Sequence, residues 1–240
     1  MAKIFPDALM VDPPRGISSY GEAAGSDMAI VCVPSPMRAD GACDVSYVES
    51  AVMEIDAELV LVKSTVTPGT CDRLRRETGK RVIFSPEYMG ESRYWTPAQF
   101  PQPSDPVGHG WMIFGGLPED CSAVADICMP RLGPCTRYRF MSALEAEIVK
   151  YAENSFFALK VTFANDLRRI CEAAGANYHV VREGWLDDPR VGPMHTAAFR
   201  DERGFGGKCL PKDLSALAAY CRSIGLDPVL LDATIEANAC

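Results

Sequence analysis

A change of period near residue 141 constrains the fold of this chain more than any other feature. Upstream of it, short apolar runs recur at Ala29-Ile30-Val31-Cys32-Val33, Leu59 to Val62, Val82-Ile83-Phe84 and Trp111 to Phe114, and Cys135 to Phe140 reads as a last strand. Runs this short and this uniformly apolar read as strands covered on both faces. Helix-length segments lie between them. Asp44 or Ser46 can cap a helix running to about Asp56, Thr67-Pro68 opens another, with the proline tolerated in its first turn, and Pro118 to Pro130 supplies a third. Strands alternating with helices predict a parallel, doubly wound sheet, interrupted by a proline-rich loop at 96–106.

Beyond residue 141 the pattern is helical. Ile148, Ala152, Phe156, Leu159, Phe163, Leu167, Ile170 and Ala174 recur at spacings of three and four, which is one face of a helix. Ser142 followed by Glu145 has the form of a capping box, and Gly175 is a natural stop. A helix of roughly thirty residues is long against the usual 11–12. Such a length bridges domains or packs against a second subunit. A further helix starts near Pro211 or Asp213, and another follows Asp227. The expected class is α/β: an incomplete parallel sheet over residues 1–140, then an all-α central domain over residues 141–240 built on the long helix.

The net charge of −8 argues against duplex nucleic acid as a partner, because phosphate binding wants a basic surface. It leaves room for an anionic small molecule in a local positive pocket. The 10 cysteines include no C-x-x-C pair, which suits neither a zinc site nor a small disulfide scaffold, so no metal is expected. Cys32 and Cys171 sit in apolar runs and read as small core residues. A reduced, cytoplasmic setting follows as the expectation. The first twenty residues carry Asp7, Asp12 and three prolines rather than an apolar h-region, so no signal peptide is expected. No apolar run reaches the roughly 18 residues that a membrane span needs.

Two places carry candidate chemistry. Gly204-Phe205-Gly206-Gly207-Lys208-Cys209-Leu210-Pro211-Lys212-Asp213 sets a thiol at the end of a glycine-rich loop, with a carboxylate four residues on. Glycines let the backbone approach a ligand closely, and an exposed thiol near cations is the kind that ionises. Lys150 and Asn154, four apart on the long helix, project from one face, so a cation and a neutral donor can converge on one oxygen. The bland alternatives are a turn holding a buried cysteine, and a solvated lysine with a polar neighbour.

Lys63-Ser64-Thr65-Val66-Thr67-Pro68-Gly69-Thr70 and Ser85-Pro86-Glu87-Tyr88-Met89-Gly90-Glu91 each end an apolar run. Val31-Cys32-Val33-Pro34-Ser35-Pro36 precedes them, and Glu147 to Asn154 with the Cys209 loop follows. In this order the motifs resemble the UDP-glucose/GDP-mannose dehydrogenase family. The resemblance implies oxidation of a nucleotide-sugar (or smaller) alcohol to a carboxylate, with NAD as cofactor. It makes Cys209 the nucleophile, passing through a thiohemiacetal and a thioester. Lys150 and Asn154 hold the reacting oxygen, and Asp213 helps activate water and orient Lys150. Glu91 with Thr65 positions a water, and Glu87 is a second acid.

By the same resemblance Asp12, Val33, Pro34, Ser35, Ser64, Thr65 and Glu91 bind the cofactor. Glu87, Tyr88, Met89, Lys150, Asn154, Phe205, Gly206 and Gly207 bind the substrate. Arg190 reaches into a neighbouring subunit's pocket, within a homodimer built on the long helix. Ala8-Leu9-Met10-Val11-Asp12 looks like the second strand of a Rossmann-like domain, ending in the acid that holds the ribose. No strand–GxGxxG–helix fingerprint occurs in the chain, so weak NAD affinity is expected. The family's domain for the sugar's nucleotide would begin at about Ala239-Cys240. Two readings without redox chemistry stay open: a cysteine-dependent enzyme needing no nicotinamide, and a nucleotide-sugar-binding module.

Overall fold

Five strands form one sheet in the computed structural model, which describes residues 1–89, 105–199 and 203–239. They are β1 (Ala29–Val31), β2 (Leu59–Val62), β3 (Arg81–Phe84), β4 (Trp111–Gly115) and β5 (Arg137–Met141), and their spatial order is their chain order. The β1–β2, β2–β3 and β4–β5 pairs are parallel. Each is joined through a helix, respectively α1 (Ser46–Glu54), α2 (Thr70–Thr78) and α3 (Pro118–Leu132), the crossover that a parallel pair requires. The β3–β4 pair is antiparallel, meeting at Phe84 opposite Gly115. The expected all-parallel sheet is therefore mostly parallel. The sequence between β3 and β4 carries prolines rather than a helical period, so no crossover rule set the direction of β4.

Alternation along the strands explains why the runs are apolar throughout. Val60, Val62, Val82 and Phe84 face a cluster with Val48 and Val52 of α1 and Cys71 and Leu74 of α2. Leu59, Leu61, Ile83, Met112 and Phe114 face the other side, against Cys121, Val124 and Cys128 of α3 and Ile4 and Phe5 from the N-terminal segment. Both faces are covered, as in a doubly wound sheet. The chain from Ala8 to Asp12, expected as a strand, is not one. Leu9 and Met10 are exposed, and Asp12 makes only an isolated bridge to Ile17. Pro13 and Pro14 follow at once; they offer no N–H and fix φ, so the chain closes into a short turn at Pro13–Arg15. α2 also starts later than expected. Gly69, at φ 94°, stands before Thr70, and Pro68 lies ahead of the helix rather than in its first turn.

The chain divides after Lys150 into two compact units, the sheet unit and a helical unit from Tyr151 onward that also takes in Ala39–Ala42. The division falls within α4 (Ala143–Ala174), a helix of 32 residues. Its capping box forms: Ser142 N donates to Glu145 Oε2 at 2.7 Å, and Glu145 N donates to Ser142 Oγ at 3.3 Å. Gly175, at φ 70°, ends it. Gly115 lets the start of α4 approach β4, since a Cβ there would lie 2.4 Å from that of Ala146.

In the helical unit α5 (Tyr178–Leu186) was not anticipated. Val180 and Val181 are exposed on it, so it shows no buried stripe, although Asn177 caps it by accepting from His179 N at 3.0 Å. α6 (Leu210–Ser223) and α7 (Val229–Ala239) follow the expected pattern. Ala158 of α4, Phe205 and Leu214 of α6 form a core with Leu231 and Ile235 of α7. The apolar stripe that defined α4 in the sequence stays largely open, with Phe156 57%, Phe163 54% and Ile170 63% exposed.

Glu147 ties α4 to α2. Its carboxylate, fully buried, accepts from Gly69 N and from Cys71 N, the latter at 2.9 Å. Burial outweighs these two amides and pushes its pKa up to about 7. A folded pKa above the usual carboxylate value means that the native state holds the extra proton. The stabilisation is thus complete below pH 4.5 and is lost as pH rises through about 7. The melting temperature of wild type should fall relative to Glu147→Gln across that window, by the equivalent of at most about 3 kcal/mol. A difference that stays constant with pH would rule this out.

Candidate active site

In the sheet unit the candidate residues gather at the carboxyl ends of β1, β2 and β3, where open α/β sheets bind ligands. Ser64, buried at the end of β2, donates from Oγ to Val33 O at 2.6 Å and so stitches β2 to the continuation of β1. Cys43 Sγ spans the same edge, 3.5 Å from Thr65 O and 4.0 Å from Ser35 O. Thr65, Val33 and Ser35 are half-buried and Pro34 is exposed. Asp12 lies in its turn with a carboxylate oxygen 3.4 Å from Arg15 Nε. This edge carries small hydroxyl side chains at parallel strand ends, the place where open α/β sheets bind dinucleotides.

Glu87 follows β3. Its Oε1 accepts from Tyr88 N at 2.9 Å and Met89 N at 3.2 Å, which folds the carboxylate back over its own turn. Lys150 Nζ, from α4, donates to the Glu87 carbonyl at 2.8 Å and lies 5.8 Å from the centre of the Tyr88 ring. Lys63, to which the sequence motif alone assigns no chemistry, is buried. Its Nζ donates to Pro86 O at 2.9 Å and to Ser85 Oγ at 3.3 Å, with Glu87 Oε2 at 3.8 Å. Burial lowers its pKa, opposed chiefly by Glu87. The signal available in the sequence was a charged residue closing an otherwise apolar strand. Glu91 lies outside the described residues.

In the helical unit Asn154 and Asp213 meet. Asn154 Nδ2 donates to Asp213 Oδ2 at 2.5 Å, and Lys212 Nζ donates to Asp213 Oδ1 at 2.5 Å. Asp213 is 1% exposed and belongs to the first turn of α6. Cys209 is the residue before that helix; its carbonyl accepts from Asp213 N at 2.9 Å, and the residue itself is exposed. The nucleophile candidate therefore opens the helical turn that the Asn154–Asp213 bond fixes to α4.

Phe205 is held from behind by a residue the sequence did not single out. Asn238 of α7 accepts from Phe205 N at 2.6 Å and donates to Phe205 O at 2.9 Å. Gly204, at φ 80°, makes this possible, since a Cβ there would lie 2.4 Å from Asn238 Oδ1. The two partners are 33 residues apart, and no local pattern announces them. Gly207, also left-handed at φ 76°, and Gly206 complete the loop. Arg190 stands apart, exposed and paired with Asp188 at 2.5 Å. Its turn is held to α4 by Lys160 Nζ, which donates to Gly192 O at 2.9 Å and Val191 O at 3.2 Å.

A sheet covered on both faces, with polar residues at its carboxyl strand ends, is the doubly wound layout on which dinucleotide-binding domains are built. The NAD binding domain of the UDP-glucose/GDP-mannose dehydrogenase family matches residues 17–97, and the central domain of the same family matches residues 144–240. The chain belongs to the UDP-glucose/GDP-mannose dehydrogenase family. It is 30% identical to a UDP-glucose 6-dehydrogenase of Rickettsia bellii over 98% of its own length and 55% of that protein. A UDP-glucose 6-dehydrogenase of Rhizobium meliloti is 32% identical over 90% of this chain and 50% of its own. The solved UDP-glucose dehydrogenase of the archaeon Pyrobaculum islandicum superposes with a TM-score of 0.77 at 30% identity, covering 92% of this chain and 52% of that one. The chain thus spans about half the length of the relatives it matches.

Proposed function

We propose that the chain carries the catalytic middle of an NAD-dependent nucleotide-sugar dehydrogenase, oxidising a sugar alcohol to a carboxylate. The observation that carries this reading is the Asn154–Asp213 hydrogen bond at the helical turn opened by Cys209. Three residues given roles by the resemblance are bound into one local structure, as retention of a working site requires. Residues 1–140 serve the dinucleotide, through Val33, Pro34, Ser35, Ser64 and Thr65, with Asp12 and Glu91 assigned by the resemblance. Residues 141–240 serve the substrate and dimerisation.

When bound, NAD supplies the hydride acceptor for both oxidations. Lys150 and Asn154 hold the oxygen on the reacting carbon, a cation and a neutral donor one helical turn apart. The Cys209 thiolate adds to the aldehyde carbon, forming a C–S bond while the carbonyl oxygen gains a proton. Covalent capture retains the reactive aldehyde and divides a hard step into easier ones. The second of these oxidations takes a hydride from the carbon of that thiohemiacetal and releases its hydroxyl proton, leaving a thioester. Water, positioned by Glu91 with Thr65 and activated by Asp213, then cleaves the C–S bond and releases the carboxylate and the thiol. The resemblance assigns Glu87, Tyr88, Met89, Phe205, Gly206 and Gly207 to the substrate.

A homodimer through α4 belongs to the same reading, supported by the open stripe of Phe156, Phe163 and Ile170. Arg190 is exposed and, among the described residues, paired with Asp188, which leaves it placed to serve a second subunit. Among the described residues no helix is long and apolar enough to cross a membrane. Cys71, Cys121, Cys128 and Cys171 pack as small apolar groups, which supports a reducing, cytoplasmic setting. The test is wild-type protein with NAD and a panel of UDP- and GDP-sugars. Two NADH per sugar oxidised, from a particle of twice the chain mass by light scattering, is the expected result. No turnover together with no binding by calorimetry would remove the reading.

A further inference from the structure

Lys63 closes the fully buried strand β2 with a charge, and its side chain is only 5% exposed. Taking an ammonium out of water is costly, and an apolar residue of similar volume usually serves stability as well or better. A buried lysine whose only contribution were packing would therefore be a poor choice for this position. Its two acceptors and its ion-pair partner come from three consecutive residues of one turn: the Ser85 hydroxyl and the Pro86 carbonyl accept, and the Glu87 carboxylate lies 3.8 Å away. The next residue, Ser64, holds the neighbouring crossover through Val33 O. The end of β2 thus fixes the chain on both sides of it.

Glu87 is also gripped by Lys150, through its carbonyl. The two lysines share the turn from opposite ends, one on the carboxylate and the preceding carbonyl, the other on the carbonyl that follows. Where residues 85–87 sit therefore decides where the Lys150 ammonium comes to rest. We propose that Lys63 is a positioning residue, which sets the Glu87 turn and through it the place of Lys150. The consequence for turnover rests on the functional reading above; the consequence for the turn does not.

The experiment compares wild type with Lys63→Met in the full chain. Hydrogen exchange of the amides in the 85–89 segment should quicken by about tenfold or more, because the Tyr88 and Met89 amides lose a fixed acceptor. The melting temperature should fall, because the buried Ser85 hydroxyl and the Pro86 carbonyl lose their donor. With substrate, kcat should fall by roughly 10- to 100-fold with the KM for NAD unchanged. Adding Lys63→Met to Glu87→Gln should cost little more than Glu87→Gln alone, the non-additivity expected of residues that act through each other.

Unchanged exchange in the 85–89 segment overturns the proposal, whether or not the chain oxidises any sugar. Full additivity of the two substitutions overturns it as well. Inactive wild type that binds no substrate sinks the functional reading instead and leaves the exchange comparison standing. If Lys63→Met does not fold, Ser85→Ala removes one acceptor only; it should quicken the same amides to a smaller degree, and no quickening there refutes the assignment.

Discussion

Replacing Cys209 with alanine is expected to stop carboxylate formation, lowering kcat by at least about 10³-fold while binding of NAD and sugar persists. Access sets Cys209 apart from the buried thiols. Cys71, Cys121 and Cys128 are buried, and burial pushes their thiols up, to about 11 for Cys121 and Cys128. Cys32 is an exposed residue, yet desolvation of its thiol raises it too. Such thiols stay protonated near neutral pH and do not attack a carbonyl. Cys209 is exposed, flanked in sequence by Lys208 and Lys212, and placed where α6 begins. Its side chain makes no capping hydrogen bond, so its loss should change stability by no more than about 0.5 kcal/mol. The NADH yield of Cys209→Ala against wild type, with calorimetry of substrate binding, is the measurement. A variant that still delivers two NADH per sugar would remove the covalent step from the mechanism.

Most of the sheet was legible because burial on both faces leaves an unmistakable mark. Leu59 to Val62 can hardly be other than a central strand, and its helical neighbours follow from the crossover rule. The direction of β4 was not legible, since pairing sense is decided by the route between strands. Ala8 to Asp12 misled for a related reason. Four apolar residues suit a strand, but a strand needs a partner and open N–H groups, and Pro13-Pro14 deny both at that point. In the helical unit the period of α4 was plain, yet α5 was invisible because its apolar residues face outward. The site divides in the same way. Asn154, Cys209 and Asp213 could be found because their spacing is local to helices or to one loop. Lys63 against Ser85–Glu87, and Asn238 against Phe205, are long-range contacts between ordinary residues, and only the folded chain brings them together.

Asp213→Ala should be the most destabilising single change in the helical unit's site. The carboxylate is 1% exposed and satisfies two donors, Asn154 Nδ2 and Lys212 Nζ. Its removal leaves a largely buried ammonium and a buried carboxamide unpaired, and breaking such a pair from one side costs about 3–5 kcal/mol. For a chain of this size that corresponds to a fall in melting temperature of roughly 6–20 °C. Asp213→Asn keeps an oxygen for Asn154 but turns an NH2 toward Lys212, losing that hydrogen bond with the charge; Lys212, 17% exposed, can still turn to water. Its thermal penalty should therefore be less than half as large. The two variants separate two roles that the geometry joins. If the carboxylate only braces α6 against α4, turnover should recover along with stability in Asp213→Asn. If it is also the base that activates water on the thioester, a neutral amide cannot replace it. Asp213→Asn would then melt close to wild type while accumulating covalent thioester, visible as an added mass on the peptide containing Cys209. Near-wild-type turnover in a well-folded Asp213→Asn would assign the residue to architecture alone.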